Sequence, residues 1–351
     1  MTQIPETDLD TNGATDAEGA QARPSALKWL TDRLADSTAF IFVALLAMIL
    51  VFTVLRPDAF ATVNNLRNIA IAASILLVLS IGQTFVIGTA GIDISVGSML
   101  VFSGVVASLA MAEVGGGQGW ASVGVGVAVS LLAGGFWGMV NGLLVTKVKL
   151  PPLIVTLGTF GGVLGLAKVL TGGINLRTVP NELVNTLGIG RAFGVVPWLV
   201  ILALVLTAIF GVVLRYTRFG RYTLAIGSNE EAARRVGIDV DLHLLKVYTL
   251  SGLLAGVAGI MNLARFTNTT IQGHDTDNLQ SIAAVVIGGT SLFGGIATMF
   301  GTLVGVFIPT TLQNGFVILR IQPFWQEVAV GAVLILAVYV DQLKRRARNR
   351  L

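Results

Sequence analysis

Long apolar runs separated by short polar breaks extend along most of the chain. A helix needs about 20 apolar residues to cross the hydrocarbon core of a bilayer, and ten runs have that length or somewhat less. They are residues 38–55, 66–89, 95–113, 121–146, 153–171, 196–214, 246–265, 280–293, 297–317 and 324–341. The run 280–293 is short enough to be only half inserted. The pattern predicts an all-α integral membrane protein with about ten transmembrane helices, some of them broken or short.

The composition agrees with a lipid environment. Of 351 residues, 54% are hydrophobic and 12% are charged, which is about half the charged share of a soluble domain. The 42 glycines suit transmembrane helices, because small residues let two helices approach closely. The chain has no cysteine and only two histidines, His243 and His274, so we expect neither thiol chemistry nor a metal site.

The two ends of the chain differ from its apolar middle. Residues 1–26 are polar and acidic, and we expect a disordered tail because such a segment buries too little apolar area to fold. It also lacks the charged start and early apolar core of a signal peptide. Residues 27–343 form the predicted transmembrane domain, and residues 344–351 form a basic tail.

Lysine and arginine indicate the orientation, because cytoplasmic loops carry an excess of both residues. With ten spans, 16 of the 23 basic residues lie on the side that holds both termini. That side includes Lys147, Lys149 and a long loop at about 216–245. We therefore expect both termini to be cytoplasmic, in a bacterial inner membrane.

Within this loop, the run Arg221–Asp239 has the signals of a short helix. Ser228 or Asn229 can cap the start of that helix, because a short side-chain oxygen accepts a free backbone N–H group there. Glu230 and Glu231 follow in the first turn, where the helix dipole favours negative charge. These residues predict a helix that begins near position 230.

The same helix has a matching end. Arg234 and Arg235 fall in its last turn, where the dipole favours positive charge, and Gly237 suits the left-handed residue that stops a helix. Ala232 and Val236 are four residues apart and share its apolar face. A short capped helix of this kind can dock into a groove on a partner. From the residues alone, an ordinary surface helix is an equal alternative.

A second feature interrupts the apolar sequence between two predicted spans. The segment Gly91–Ser98 contains Asp93, and charges at membrane depth usually face a cavity, a partner or a functional path. We expect Asp93 or Ser95 to cap the next helix, with a place on a conduit as the alternative. Asn141 is a polar residue inside a span. It either lines a path or bonds across helices, and we favour the second role.

Four segments together resemble the sugar branch of the ABC importer permeases, the ribose and xylose type. They are Gly91–Ser98, Arg221–Asp239, Tyr248–Gly259 and Ala283–Gly295, and they occur in the family's order and at its spacing. The resemblance extends from about position 40 to position 341 and leaves out the acidic tail. It identifies the loop at 216–245 as the coupling segment of such a permease.

The resemblance implies a permease subunit, not an enzyme, that passes a sugar (a pentose, hexose or related polyol) into the cytoplasm. It implies three partners, which are a second permease subunit in a homodimer, an ABC ATPase, and a soluble sugar-binding protein outside. No nucleic acid or cofactor of this chain is implied. The ATPase-coupling residues are Gly227, Asn229, Glu230, Glu231, Ala232, Arg235 and Gly237. The residues assigned to the translocation pathway are Asp93, Ser95, Asn141, Thr290 and Ser291.

The chain itself lacks the residues for binding ATP. The run Gly288–Gly295 resembles a phosphate-binding loop but has no lysine, and no lysine in the chain is followed by serine or threonine. ATP is therefore expected on the partner ATPase.

Two alternative functions stay open. An ion-coupled secondary transporter needs buried carboxylates along its spans, and Asp93 is the one good candidate. A branched-chain amino acid permease of the same superfamily is closer, but the form Gly-Ile-Asp-Ile-Ser-Val-Gly at 91–97 favours the sugar branch.

Overall fold

A computed structural model describes residues 37–274 and 276–348. The predicted acidic tail, 1–26, lies outside the described residues. Of the predicted basic tail, residues 344–348 continue the last helix, and residues 349–351 also lie outside.

The described residues are mostly helical. Helices α1 to α6 are Ser37–Leu55, Val63–Gly88, Val96–Glu113, Gly119–Thr146, Pro152–Thr171 and Trp198–Tyr216. Helices α7 to α13 are Arg218–Ser228, Glu230–Arg235, Val240–Phe266, Asp277–Ile287, Met299–Gly305, Phe307–Ile318 and Pro323–Arg348. Short helical turns occur at Pro57–Phe60, Gly115–Gly117, Asn181–Leu183 and Val184–Gly188.

Each of the ten predicted apolar runs contains a helix, but the helices differ in length. Among the described residues, seven helical segments are long and apolar enough to cross a membrane, with α11 and α12 counted as one broken segment. Three shorter apolar stretches lie at Ile41–Leu55 in α1, at Asp277–Ile287, which is α10, and at Phe324–Leu336 in α13. Helix α10 has 11 residues and is about 16 Å long at 1.5 Å per residue, half of a hydrocarbon core.

One small element departs from the predicted all-α fold. Strand β1, Arg191–Ala192, pairs antiparallel with strand β2, Val196–Pro197. Between them, Phe193 has a positive φ of 52° and Gly194 a positive φ of 71°, which the tight turn requires. This hairpin belongs to the connection before α6. Strands of two residues are too short to be recognised from a pattern of apolar runs.

Helices α4 and α9 cross with their backbones close together. A Cβ atom on Gly134 would lie 2.2 Å from the carbonyl oxygen of Gly252, and one on Gly252 would lie 2.1 Å from the carbonyl oxygen of Gly134. One turn along, a Cβ atom on Gly138 would lie 2.3 Å from the carbonyl oxygen of Tyr248. The two backbones are therefore in direct contact, as small residues spaced by four allow in membrane helices.

The buried core surrounds this crossing. It contains apolar side chains from α2, α3 and α9, including Leu79, Phe85, Met99, Leu100 and Met261. Helix α5, by contrast, exposes Leu157 and Val169, and its glycines at 158 and 162 have open space beside them. The inner helices therefore pack on protein, whereas α5 presents an apolar face to its surroundings.

The fold has two distinct ends. At one end α2 finishes at Gly88, α7 and α8 lie across the surface, and α9 begins; we call this the α8 end. At the opposite end, the carboxylate of Glu182 accepts a hydrogen bond from the backbone N–H of Gly119 at 2.9 Å. There the loop before α6 covers the ends of α3 and α9, with Leu183 packed in a cluster with Met111 and Leu263.

The glycine contact yields a test of the fold. We expect Gly134→Ala to destabilise the protein by about 1–3 kcal/mol, because the new methyl group forces two packed backbones apart. The measurement is thermal unfolding of the purified protein in detergent, together with its abundance in the membrane. The control is Gly124→Ala on the same helix, where a Cβ atom meets nothing within 4 Å. Equal stability of the two variants would contradict the tight crossing.

Candidate functional site

Three short polar side chains organise the surface of the α8 end. Each caps a helix by accepting a backbone N–H group, which would otherwise lack an intrahelical partner. Thr217 Oγ1 accepts from Gly220 N at 3.4 Å before α7, and Asp239 Oδ1 accepts from Leu242 N at 3.0 Å before α9. Between them, Asn229 Oδ1 accepts from Ala232 N at 2.9 Å before α8. Asn229 is thus the cap of the predicted short helix, and Ser228 is the last residue of α7.

Helix α8 ends as its sequence indicates. Gly237 has a φ of 84°, in the left-handed region that favours glycine. Its N–H group donates to the carbonyl oxygen of Arg234 at 3.0 Å, and Ile238 N donates to Ala233 O at 3.1 Å. The chain therefore leaves the helix through a hydrogen-bonded turn and enters α9 directly.

The two sides of α8 differ. Ala233 is buried and packs with Ile226 and Val240, which holds the helix against α7 and α9. The predicted apolar pair, Ala232 and Val236, instead points outward, and Val236 is 77% exposed. The apolar face identified from spacing is therefore a free face in this chain, and Ala233 is the residue that anchors the helix.

The four charges of α8 also divide between two roles. Arg234 bonds to Glu230 at 2.9 Å and to Asp241 at 2.5 Å, and Asp241 accepts from Lys149 at 2.8 Å. This network ties α8 to the start of α9 and to the connection between α4 and α5. Among the described residues, Glu231 and Arg235 pair only with each other, and about three quarters of each side chain is exposed. Such a surface pair adds little stability, so these two charges are available to a partner.

Glycine backbones connect α7, just before α8, to the end of α2. The backbone N–H of Gly295 donates to the carbonyl oxygen of Gly88 at 3.1 Å. A Cβ atom on Gly227 would lie 2.0 Å from that same oxygen and 2.6 Å from the nitrogen of Gly295. Three segments that are distant in sequence therefore meet without an intervening side chain, two residues before the cap of α8.

Asp93 is fully buried in the break between α2 and α3. Its Oδ1 atom accepts from Ser95 N at 2.9 Å and from Ser95 Oγ at 2.5 Å, and its Oδ2 atom accepts from Ser251 Oγ at 3.0 Å. The Asp93 carbonyl oxygen accepts a hydrogen bond from Gln83 Nε2. The side chain thus joins the break to α9, and the amide of Gln83 joins it to α2.

The predicted cap of α3 is wrong in detail. Helix α3 begins at Val96, and Ser95 makes no capping bond with its side chain. The Asp93 side chain accepts from the backbone N–H group of Ser95, one residue before the helix. It therefore stabilises a turn in the break and does not cap the helix itself. The hydroxyl of Ser95 is occupied, since it donates to Asp93 and accepts from Asn141 Nδ2 at 2.9 Å. Asn141 therefore bonds across helices.

Three residues of this cluster were missed from the sequence. Gln83 and Ser251 bond directly to Asp93, and Tyr248 is buried with its hydroxyl near Gly91, at 2.7 Å from the position of a Cβ atom there. The sequence feature that could have identified them is a polar side chain inside an apolar run, because such a side chain often forms a hydrogen bond across helices. Among the described residues, Tyr248 Oη, Gln83 Oε1 and Asn141 Oδ1 are buried without a hydrogen-bond partner.

Thr290 and Ser291 bond outside this cluster, in the connection after α10. Thr290 Oγ1 accepts from Thr298 N at 3.4 Å, and Ser291 Oγ donates to Asp341 Oδ2 at 3.2 Å. Asp341 also accepts from Leu292 N at 3.2 Å. Thr290 thus closes the connection that carries Gly295, and Ser291 fastens it to α13.

A cavity of about 530 Å³ lies between α8 and the break. Gly91 and Tyr248 line one part of it, and Glu230, Arg234 and Asp241 line another. The start of the break, at Gly91, and the inner side of α8 therefore face the same space. In residues 37–274 and 276–348, no group of three or more histidine, aspartate or glutamate side chains could hold a metal ion.

Comparison with known proteins covers almost the whole chain. Residues 65–338 match the family described as the branched-chain amino acid transport system / permease component. The ribose import permease protein of Escherichia coli (strain K12) is 39% identical over 307 residues, or 86% of this chain and 93% of that protein. The D-allose transport system permease protein of the same strain is 34% identical over 302 residues, or 86% and 90%.

A third relative extends further along the chain. The L-arabinose ABC transporter permease protein of Azospirillum brasilense is 34% identical over 343 residues, which is 97% of each chain. No solved structure matches the chain.

The hydrogen bonds of Asp93 lead to a prediction about its charge. Asp93→Ala leaves a buried Ser95 N–H group without an acceptor, so we expect a stability loss of about 1–3 kcal/mol. Asp93→Asn keeps one acceptor for Ser95 and offers a donor to Ser251, so most of the stability and the activity should remain. Thermal unfolding in detergent and solute uptake at matched membrane abundance are the measurements. Loss of uptake in Asp93→Asn at normal abundance would show that the negative charge itself is needed.

Proposed function

The chain belongs to the ribose-type family of ABC importer permeases, and we propose that it is the membrane-spanning subunit of an importer that moves a sugar into the cytoplasm. The observation that carries the proposal is helix α8, a capped helix with a free outer face. Gly227, two residues before its cap, packs bare backbone against Gly88 at the end of α2. This arrangement suits a subunit that receives movement from a partner and has no reaction of its own to perform.

The relatives favour a sugar over a branched-chain amino acid. The family model takes its description from amino acid transport, but the similar proteins are named for ribose, allose and arabinose. All three solutes are neutral and carry many hydroxyl groups. We propose a pentose, a hexose or a related polyol as the solute of this chain.

Three partners complete the proposed importer. An ABC ATPase binds and hydrolyses ATP and docks on the α8 end, and a soluble sugar-binding protein delivers the solute to the opposite end. A second copy of this chain completes the conduit in a homodimer, for which the exposed apolar face of α5 is available. The chain itself binds no cofactor.

The proposed topology has about ten spans and both termini in the cytoplasm of a bacterium, with the protein in the inner membrane. Seven helical segments of sufficient length and the three shorter apolar helices supply these spans. The position of α8 supports this orientation, because α8 and the connection with Lys149 lie at one end and carry many of the basic residues that cytoplasmic loops collect.

We propose that coupling works through differential contact. The ATPase binds the outer face of α8, formed by Glu231, Ala232, Arg235 and Val236, and it makes different contacts in its two nucleotide states. The packed backbone at Gly227 passes the displacement of α8 to Gly88, because there is no flexible side chain between them to absorb it. The remaining coupling residues act inside the loop: Asn229 caps α8, Glu230 holds Arg234, and Gly237 ends the helix.

Of the five residues predicted for the translocation pathway, we keep three in that role. Asp93 and Ser95 lie in the break, Asn141 of α4 bonds to Ser95, and the start of the break, at Gly91, lines the cavity that opens toward α8. We propose that this break moves when access changes sides. Thr290 and Ser291 act as supports of the neighbouring connection.

The outer face of α8 can be tested by reversing its charges. The double variant Glu231→Arg, Arg235→Glu keeps a pair of opposite charges within the helix but exchanges their positions for a partner. We expect co-purification of the ATPase and solute uptake to fall roughly fivefold or more, at unchanged membrane abundance. The control is Glu113→Lys at the opposite end, where an exposed carboxylate is reversed. Normal ATPase binding by the α8 variant would remove this face from the coupling assignment.

The function itself is tested by reconstitution in liposomes. The chain alone should hydrolyse no ATP, because it has no phosphate-binding loop. With the neighbouring ATPase and binding protein from its genome, it should accumulate at least one of D-ribose, D-allose and L-arabinose when ATP is supplied. Leucine uptake in place of sugar uptake would support the amino acid alternative. ATP hydrolysis by the chain alone would overturn the proposal.

A further inference from the structure

Two adjoining polar cavities lie on the side of the protein away from α8. Their volumes are about 260 Å³ and 220 Å³, and they share Gly273, Gln280 and Gln313. Helices α2 and α9 and the connection after α9 line the first cavity, and helices α12 and α13 close the second. Together they form one polar recess among apolar helices, which we call the outer recess.

The outer recess reaches far into the fold. Its Gln280 lies in the first turn of α10, a helix of about 16 Å that ends near the α8 surface. At the start of α10, Asn278 Nδ2 donates to the carbonyl oxygen of Ile94 at 3.1 Å. Ile94 is the neighbour of Asp93 in the break. The bottom of the recess is therefore separated from the break by a single hydrogen-bonded layer.

The polar groups in the recess suit hydroxyl groups. Gln280 and Gln313 each offer an amide that both donates and accepts hydrogen bonds, as a sugar hydroxyl does. Asn262 belongs to the lining of the recess and is 3% exposed; its Nδ2 atom donates to Thr270 Oγ1 at 2.6 Å, and its buried Oδ1 atom has no hydrogen-bond partner among the described residues. A buried carbonyl oxygen without a partner is unfavourable, so this atom offers an acceptor that a bound hydroxyl group would satisfy.

Four titratable side chains line the recess: Arg265, His274, Asp277 and Glu327. Asp277 Oδ2 bonds to His274 Nδ1 at 2.6 Å, and the guanidinium group of Arg265 lies 4.7 Å from the ring centre of Phe266. The amides of Gln280 and Gln313 stand beside these groups, and Gln280 Nε2 donates to Thr276 Oγ1 at 3.0 Å. Ile75 and Leu76 supply an apolar wall for C–H groups. The recess thus combines amides and an apolar wall, which a neutral solute with many hydroxyl groups can use.

We propose that the outer recess is a binding site for a sugar within the permease itself, with Asn262, Gln280 and Gln313 donating to and accepting from its hydroxyl groups. The solute class rests on the proposed function. The site receives the sugar from the binding protein and holds it one layer above the break at Asp93. The permease therefore adds its own selection of the solute to that of the binding protein.

The first experiment changes the amides and leaves the coupling machinery intact. The double variant Gln280→Met, Gln313→Leu keeps the size of both side chains but removes their hydrogen bonds. In liposomes with the ATPase and saturating, sugar-loaded binding protein, we expect sugar uptake to fall roughly tenfold while ATP hydrolysis continues. The matched control is Gln322→Leu, an exposed glutamine outside the recess at the same end. Uptake at the wild-type rate in the double variant would overturn the site.

The second experiment uses the absence of cysteine from the chain. Gln313→Cys introduces the only thiol, and a membrane-impermeant thiol reagent should modify it more slowly in the presence of D-ribose, D-allose or L-arabinose, whichever is transported. Gln322→Cys should show no protection. Protection by leucine and not by the transported sugar would overturn the inference, as would equal modification rates with and without sugar.

The importer function and the binding site in the recess are distinguished by these measurements. If the wild-type complex transports no sugar, the proposed function fails. If it transports a sugar but neither amide variant changes uptake and no sugar protects the thiol, the function stands and the recess is not its binding site.

Discussion

The backbone contact between α4 and α9 is the constraint on which the rest of the structure depends. Lipid supplies no hydrophobic force between helices, so they associate through van der Waals packing. The close contact between Gly134 and Gly252 provides such packing. The residue before Gly252 is Ser251, which bonds to Asp93, and a Cβ atom on Gly82 would lie 3.0 Å from Ser251 Cα. The crossing therefore places α9 where its polar face meets the break.

A second set of backbone contacts connects the buried break to the surface of the α8 end. Gly227, Gly88 and Gly295 bring α7, the end of α2 and the connection after α10 within hydrogen-bonding distance. The inner charges of α8 fasten it to the same end, through Arg234 and Asp241. We therefore expect a displacement of α8 to be passed through this packed backbone to the end of α2. The buried cluster around Asp93 follows five residues later in the chain. The outer recess reaches the same break from the other side, through Asn278 and Ile94.

Local features were largely readable from the sequence. The apolar runs marked each long helix because a span must be apolar over its whole length. The residues around Asn229 described the start and end of α8 because caps and helix dipoles act within a few neighbours. The face of α8 that packs inward was misjudged. Ala232 and Val236 are the more obvious apolar pair, but Ala233 faces Ile226 and Val240, which are supplied by other helices.

By itself, the sequence determined the class of the protein, its permease family, the positions of its helices and the capped helix of the coupling loop. These follow from composition, from the period of apolar residues and from motifs of a few neighbouring positions. Only the tertiary structure decided that Asp93 bonds to Ser251, 158 positions away, that Thr290 and Ser291 support a connection near Asp341, and that two cavities meet at Gln280 and Gln313. The physical reason is that hydrogen bonds and cavities between helices depend on how the helices cross, and the crossing depends on contacts between residues that lie far apart in the chain.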